Sequence, residues 1–339
     1  MAYQIAINID ADENWAGMPD QEARFDYLRA ADEAGVHSVW VAETWSRDPV
    51  PFMTQIAERT KSIQIASGIM NVFGRSPGLI AQTFATLDAI SGGRMIIGLG
   101  ISAPAVIEHF HGVEFKAPLQ RTREYVEIIR MLLSGERLNY EGSLYHLERG
   151  FSLPIERQRD QIPIFVASLG PKSVAQAAEI ADGWMPLWTP IQDLPALVER
   201  FRGTASEAGR AADPPVVRSP GTLFITDSAK VEQTRQGQAR KFAYYVSRMG
   251  DAYYQHVSRL GYSAEADAIR AGFNSEGSTG GTAAVPPELQ QELCLVTDST
   301  EAGREWLAEQ DEAGVAIHLV KVDAASPAEA SKTYERLIG

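Results

Sequence analysis

Three glycine- and proline-punctuated runs and one histidine pair carry the residue types in this 339-residue chain that can do chemistry. In Ile164-Phe-Val-Ala-Ser-Leu-Gly-Pro-Lys-Ser-Val, an apolar strand-like stretch passes through small residues into a helix start, with Pro171 suited to the first helical position. Free N–H groups at that start, the Ser168 and Ser173 hydroxyls and the Lys172 ammonium match what a phosphate needs. An ordinary strand-to-helix turn uses the same residues, and both readings stand on these features alone. The run Ser67-Gly-Ile-Met-Asn-Val-Phe-Gly-Arg-Ser-Pro77 places a glycine before an apolar stretch and a Pro-started helix. Gly68 reads as a bulge or strained peptide where backbone presses on a flat ligand, with a plain loop as the alternative.

The run Gly98-Leu-Gly-Ile-Ser-Ala-Pro fits the dinucleotide fingerprint G-x-G-x-x-A through Gly98, Gly100 and Ala103. It follows the fourth candidate strand instead of the first, and about twenty residues on lies a helix with Arg121 and Arg130 where that fingerprint requires a strand ending in Asp or Glu. The glycines are better read as letting backbone approach a ligand at a barrel rim. His109 and His111, beside Glu108, suggest a metal, yet no third ligand follows at a recognisable spacing. No G-x-S-x-G elbow, phosphate-binding G-x-x-x-x-G-K-[ST] loop or H-E-x-x-H helix is present, so hydrolase and kinase chemistry lose support. Cys294, the sole cysteine, lies in Leu-Cys-Leu-Val and reads as a small buried hydrophobe.

The elements that must position these residues are short apolar runs followed by helical spacing, the signature of βα units on a parallel sheet. Strands are expected at 3–9, 36–42, 62–68, 94–99, 162–167, 183–187, 217–225 and 315–320. Eight is the number that closes a (β/α)₈ barrel. Phe25, Leu28 and Ala31, then Ile80, Phe84 and Leu87, then Tyr125, Ile129 and Leu132 repeat with helical spacing and read as core-facing stripes. The Ala-Gly pairs ending 22–35 and 301–314 place glycine where a helix turns into a strand. Two excursions interrupt the repeat: 103–159, with a long helix and a polar stretch at 139–150, and a helical insertion at about 228–293 with a Gly/Ser/Thr loop at 275–282. The chain reads as one domain over 1–339, because the strand at 315–320 is needed to close the sheet.

Composition narrows the function. Hydrophobic residues at 45% and charged residues at 22% suit a packed globular enzyme. With 31 Lys+Arg against 44 Asp+Glu, the net charge of −13 repels nucleic acid and anionic membranes. The N-terminal run MAYQIAINID has neither a basic n-region nor a long apolar h-region, so the expected location is the cytoplasm.

Taken in order, Val39-Trp-Val-Ala-Glu43, Ala85-Thr-Leu-Asp-Ala-Ile-Ser-Gly-Gly-Arg94, Gly98-Leu-Gly-Ile-Ser-Ala-Pro104, Leu119-Gln-Arg-Thr-Arg-Glu-Tyr125, Ala167-Ser-Leu-Gly-Pro-Lys172 and Glu179-Ile-Ala-Asp-Gly-Trp184 resemble the luciferase-like flavin and deazaflavin oxidoreductases. The likeness is strongest to coenzyme F420-dependent enzymes near the methylenetetrahydromethanopterin reductase branch and covers nearly the whole chain. It implies a luciferase-like (β/α)₈ TIM barrel, α/β in class, with helical insertions at the C-terminal rim and the cofactor ring in the mouth. It places a non-prolyl cis peptide at Gly68-Ile69 behind the ring. Ser67, Asn71, Gly100 and Ser102 would lie around that bulge, with Ala167, Ser168, Leu169, Gly170, Pro171 and Lys172 on the cofactor phosphate. It further implies a small-molecule substrate and a homodimer.

One departure bears on the reaction. Relatives that oxidise alcohols or sugar phosphates carry an Asp-His pair after the second strand, and Glu43 and Thr44 stand at the matching positions. Glu43 and Thr44 are the candidate catalytic pair, and without a histidine base, reduction of an activated C=C or C=N bond by reduced F420 fits better than alcohol oxidation. Trp45, Phe73, Trp188, Tyr244 and Tyr245 are the candidate substrate wall, with lid packing as the alternative reading. An FMN-dependent monooxygenase of the same fold and a non-catalytic flavin-binding protein are the competing functions.

Overall fold

The computed structural model describes residues 3–9 and 21–339. Residues 1, 2 and 10 of the N-terminal run considered above lie outside them. In chain order the strands are β1 (Ile5–Ile9), β2 (Ser38–Val41), β3 (Gln64–Ser67), β4 (Met70–Asn71), β5 (Met95–Gly100), β6 (Leu138–Glu141), β7 (His146–Phe151), β8 (Ile164–Ala167), β9 (Gly183–Met185), β10 (Val217–Ile225), β11 (Val296–Thr297) and β12 (Ile317–Asp323). All eight runs expected as strands form one. They pair in parallel in the order β10-β12-β1-β2-β3-β5-β8-β9, with β11 on the outside of β10 and β4 on β5. Bridges from Trp184 to Val216 and from Leu187 to Ser219 join β9 back to β10, so the sheet closes into a (β/α)₈ barrel.

Helix starts and stops follow from local chemistry. Ser76 caps the helix Pro77–Ser91 through its hydroxyl, 3.1 Å from the Leu79 amide, and Pro77 occupies the first turn. Gly35 and Gly314, the Ala-Gly positions, adopt φ of +86° and +90°, the left-handed turn that releases each helix into a strand. Inside the barrel, Ala6, Trp40, Ala66, Ile96, Phe165 and Met185 interdigitate, with Trp40 edge-on to Phe165 at 5.3 Å. A larger apolar layer between sheet and helices includes the stripe residues Phe25, Phe84 and Ile129.

Two local expectations change. The polar stretch 139–150 belongs to an antiparallel hairpin, β6 with β7, standing mostly in solvent. The stretch 275–282 is not a loop: it lies within the helical run Ser263–Ala283, broken only at Gly277, where φ is +65°. The two limbs close tightly, since a Cβ on Gly272 would sit 2.5 Å from the Gly280 carbonyl oxygen. Gly/Ser/Thr composition serves close helix packing here. Between β10 and β11 the helices Val231–Arg248, Asp251–Arg259, Ser263–Ala283 and Pro287–Leu293 enclose an apolar core of their own, with Phe242, Val246 and Ile269 fully buried.

Candidate active site

A cavity of about 1150 Å³ opens at the C-terminal ends of the strands, roofed by the helices between β10 and β11. This is the end at which (β/α)₈ barrels do chemistry, because the strand-to-helix loops converge there.

Behind the cavity, the Gly68-Ile69 peptide is cis, as the sequence resemblance implied. The glycines around it have mechanical reasons. A Cβ on Gly98 would lie 2.0 Å from the Ser67 carbonyl oxygen, so β5 reaches the bulge only as glycine. A Cβ on Gly100 would meet the end of the Ile69 side chain at 2.8 Å, and one on Gly68 would meet Trp40 in the barrel wall at 3.1 Å. Gly68, Ile69 and Gly100 line the cavity. Ser67 does not: its buried hydroxyl donates to the Gly98 carbonyl at 2.8 Å and accepts from the Gly98 amide at 2.9 Å, a tie between β3 and β5. Ser102 lines the cavity with φ of +57°, a conformation costly for a residue with a Cβ and common at functional sites.

Glu43 faces the cavity but is already engaged. One carboxylate oxygen accepts from the Asn71 amide at 2.9 Å and the Asn71 side-chain nitrogen at 2.8 Å, and the other accepts from Arg75 Nε at 3.1 Å. Arg75 in turn pairs with Asp48 at 2.7 Å. Asn71 completes the knot by accepting from the Phe73 and Gly74 amides through its side-chain oxygen. Asn71 thus supports the bulge loop from behind and does not line the cavity, which corrects its placement against the cofactor. The chemistry this arrangement gives Glu43 is anchoring of the loop after β3. Thr44 and Trp45 line the cavity beside it, with Trp45 exposed.

Across the mouth, β8 runs through Ser168-Leu169-Gly170 into the helix Pro171–Ile180. Ser173 Oγ closes the first turn by accepting from the Gly170 amide at 3.1 Å and donating to the Gly170 carbonyl at 2.9 Å. The hydroxyl of Ser168 is buried without a hydrogen-bond partner among the described residues, and Lys172 and Arg259 bring two cations to the same turn. Ala167 to Lys172 all line the cavity. A helix N-terminus, an unpartnered hydroxyl and two cations are the groups that anion binding requires.

Of the five aromatic residues expected to wall the substrate, Trp45, Trp188, Tyr244 and Tyr245 line the cavity, with Trp188 and Tyr245 ring centroids 5.8 Å apart. Trp188 has φ of +53°, an outlier for a bulky side chain. Phe73 is excluded: it is buried, stacked on Phe115 at 5.0 Å with Arg121 over its face at 4.8 Å. Phe115 reaches the cavity in its place. Sequence reasoning missed Arg75, His256 and Arg259. Arg75 carried a signal, since it sits in the run that contains Gly68; the other two lie about ninety residues beyond the turn they approach.

His109 and His111 do not assemble a metal site: no group of three or more His, Cys, Asp or Glu side chains among the described residues is placed to hold a metal. Nor is any described helix long and apolar enough to cross a membrane.

The model of the family described as luciferase-like monooxygenase matches residues 9–316. The chain belongs to that family. Among luciferase-like relatives, a Mycobacterium tuberculosis protein named as a coenzyme F420-dependent oxidoreductase is 30% identical over 333 residues, 92% of this chain and 93% of that one. A 5,10-methylenetetrahydromethanopterin reductase from Archaeoglobus fulgidus is 30% identical over 188 residues, 55% of each. The coenzyme F420-dependent tetrahydromethanopterin reductase of Methanopyrus kandleri has the same luciferase-like fold, with a TM-score of 0.79 at 23% identity, covering 100% of this chain and 98% of that one.

Proposed function

We propose that this luciferase-like protein is a coenzyme F420-dependent oxidoreductase that moves a hydride between the deazaflavin and a small organic substrate, working as a reductase. The observation that carries the reading is spatial. The flat wall at Gly68-Ile69 and the anion-holding turn at 168–172 open into one cavity, so a planar ring and its phosphate can be held at once. The Mycobacterium tuberculosis relative named for coenzyme F420 supports the choice of cofactor.

Ile69, backed by Gly100, would support one face of the ring. Ser168, the amides at the start of the helix Pro171–Ile180 and Lys172 would hold the phosphate. When bound in its reduced form, the deazaflavin supplies a hydride. Trp188, Tyr244 and Tyr245 would close the substrate side and limit water. The direction is supported by two residues of the cavity: Thr44 is a poor base at neutral pH, and both Glu43 oxygens are engaged, by Asn71 and Arg75. Alcohol oxidation needs a base beside the ring, which a histidine would supply and a threonine does not, whereas a reduction needs only a proton source. The reading includes a homodimer in the cytoplasm, to be checked by sedimentation of the purified protein and by cell fractionation.

The cofactor assignment is tested by titrating the purified protein separately with F420 and FMN while following ligand fluorescence. Saturable F420 binding at micromolar concentration without FMN binding is expected. FMN binding alone would move the chain to flavin-dependent monooxygenase chemistry.

A further inference from the structure

The helix Asp251–Arg259 presents two residues to the anion-holding turn. His256 and Arg259 are three residues apart and so share a face. The His256 ring is buried, with Nε2 3.1 Å from Thr189 Oγ1 and a hydrogen bond to the Leu169 main chain. Burial pushes its pKa down to about 4, so the imidazole is a neutral strut at working pH. One turn further, a guanidinium nitrogen of Arg259 lies 4.0 Å from where a Cβ on Gly170 would be. Of the insertion's other arginines, Arg270 pairs with Asp251 at 2.8 Å, Arg235 pairs with Glu232 at 2.6 Å, and Arg248 lies over the Phe273 ring at 4.9 Å. Arg259 forms no ion pair with any described residue, although the chain carries a net charge of −13. Its positive charge is directed instead to a turn that already has a helix N-terminus, Lys172 and the unpartnered, nine-tenths buried Ser168 hydroxyl.

We infer that Arg259 is a second cationic arm of the anion site, supplied by the insertion between β10 and β11, so that the cofactor's phosphate is held from the barrel by Lys172 and from the roof by Arg259. The inference rests on the reading of the 168–172 turn as the cofactor's phosphate site. A guanidinium fork suits a phosphate geometrically, because two parallel N–H donors meet two oxygens. His256 is a positioning residue that sets the height of the helix over Leu169. Loading the site then fastens the roof to the barrel.

The test compares F420 with a deazaflavin nucleoside that has the same ring and no phosphate. Arg259→Gln should weaken F420 about tenfold, the low end for a charge-assisted hydrogen bond because the guanidinium is solvent-exposed in the free protein. The same variant should change affinity for the phosphate-free ring less than twofold, and Arg259→Lys should fall between Arg259→Gln and the unaltered chain. Amide hydrogen exchange gives a second readout: F420 should slow exchange over 251–259 in the unaltered protein, and much less in Arg259→Gln. Equal weakening of both ligands, or unchanged F420 affinity, would overturn the second arm while leaving the F420 reading intact. An unaltered protein that binds the phosphate-free ring but gains nothing from the phosphate would remove the anion site itself, and one that binds neither deazaflavin would remove the F420 reading and this inference together.

Discussion

Replacing Glu43 with glutamine separates an anchoring role from a catalytic one. In the native knot one carboxylate oxygen accepts two hydrogen bonds from Asn71, at 2.9 and 2.8 Å, and the other accepts from Arg75 Nε at 3.1 Å, with the Glu43 side chain only 8% exposed. A glutamine keeps an oxygen for Asn71, but its amide nitrogen then faces the Arg75 N–H, donor against donor. One charge-assisted hydrogen bond is lost, worth about 1.5–3 kcal/mol, with partial relief because Arg75 keeps Asp48 at 2.7 Å. A net cost of about 2 kcal/mol is expected, which lowers the thermal midpoint by about 3 °C in a domain of 339 residues. A cycle with Arg75→Met isolates the pair and should return a coupling of about 1–3 kcal/mol. The assay is thermal and urea unfolding of the single and double variants, run beside F420 titration and turnover. A Glu43→Gln protein as stable as the unaltered one, with intact cofactor affinity and kcat reduced a hundredfold or more, would refute the anchor and make Glu43 the proton-transfer group.

Gly98→Ala should destabilise the barrel by at least the 1–3 kcal/mol typical of overpacking, because the new methyl meets the Ser67 carbonyl at 2.0 Å and neither strand can withdraw; a urea midpoint equal to that of the unaltered protein would contradict this. His318 is buried on β12 with its pKa pushed down to about 4 from an ordinary 6.5 by desolvation. The unfolded chain therefore takes up the proton first, so this contribution is complete above about pH 6.5 and is lost as pH falls through about 4. At pH 4.5 the loss is about 2–3 kcal/mol, and His318→Gln should show a correspondingly shallower fall in urea stability between pH 7 and 4.5. Lys172→Ala should weaken F420 by about 1.5 kcal/mol, discounted for the exposure of the ammonium; an unchanged dissociation constant at low and high salt would remove Lys172 from the site.

What was legible in the sequence was what local pattern encodes. Fully buried parallel strands such as Met95–Gly100 are continuous apolar runs, and they stand out without knowledge of their neighbours. The turn at 167–172 was legible because strand, small residues, proline and lysine are contiguous. The hairpin of β6 and β7 was not, because its strands are short and largely exposed; it is held partly from outside, where Glu124 accepts from the Ser143, Leu144 and Tyr145 amides. The helix through 275–282 was hidden by its own packing chemistry, since glycine reads as a breaker unless the facing Gly272 is known. Glu43 looked like a candidate base because Arg75, 32 residues away, meets it only once β2 and β3 lie side by side. Arg259 and His256 reach their turn through the roof, a relation no spacing rule contains.

The proposed direction, reduction of substrate by reduced F420, rests on Thr44 standing where a histidine base would be and on the engagement of Glu43 by Asn71 and Arg75. The most direct measurement supplies reduced F420 with a panel of enones and imines, and oxidised F420 with secondary alcohols and glucose 6-phosphate, while following deazaflavin absorbance. Oxidation of reduced F420 by members of the first panel, without bleaching by the second, is the expected result. Turnover confined to the alcohols or the sugar phosphate would contradict the account.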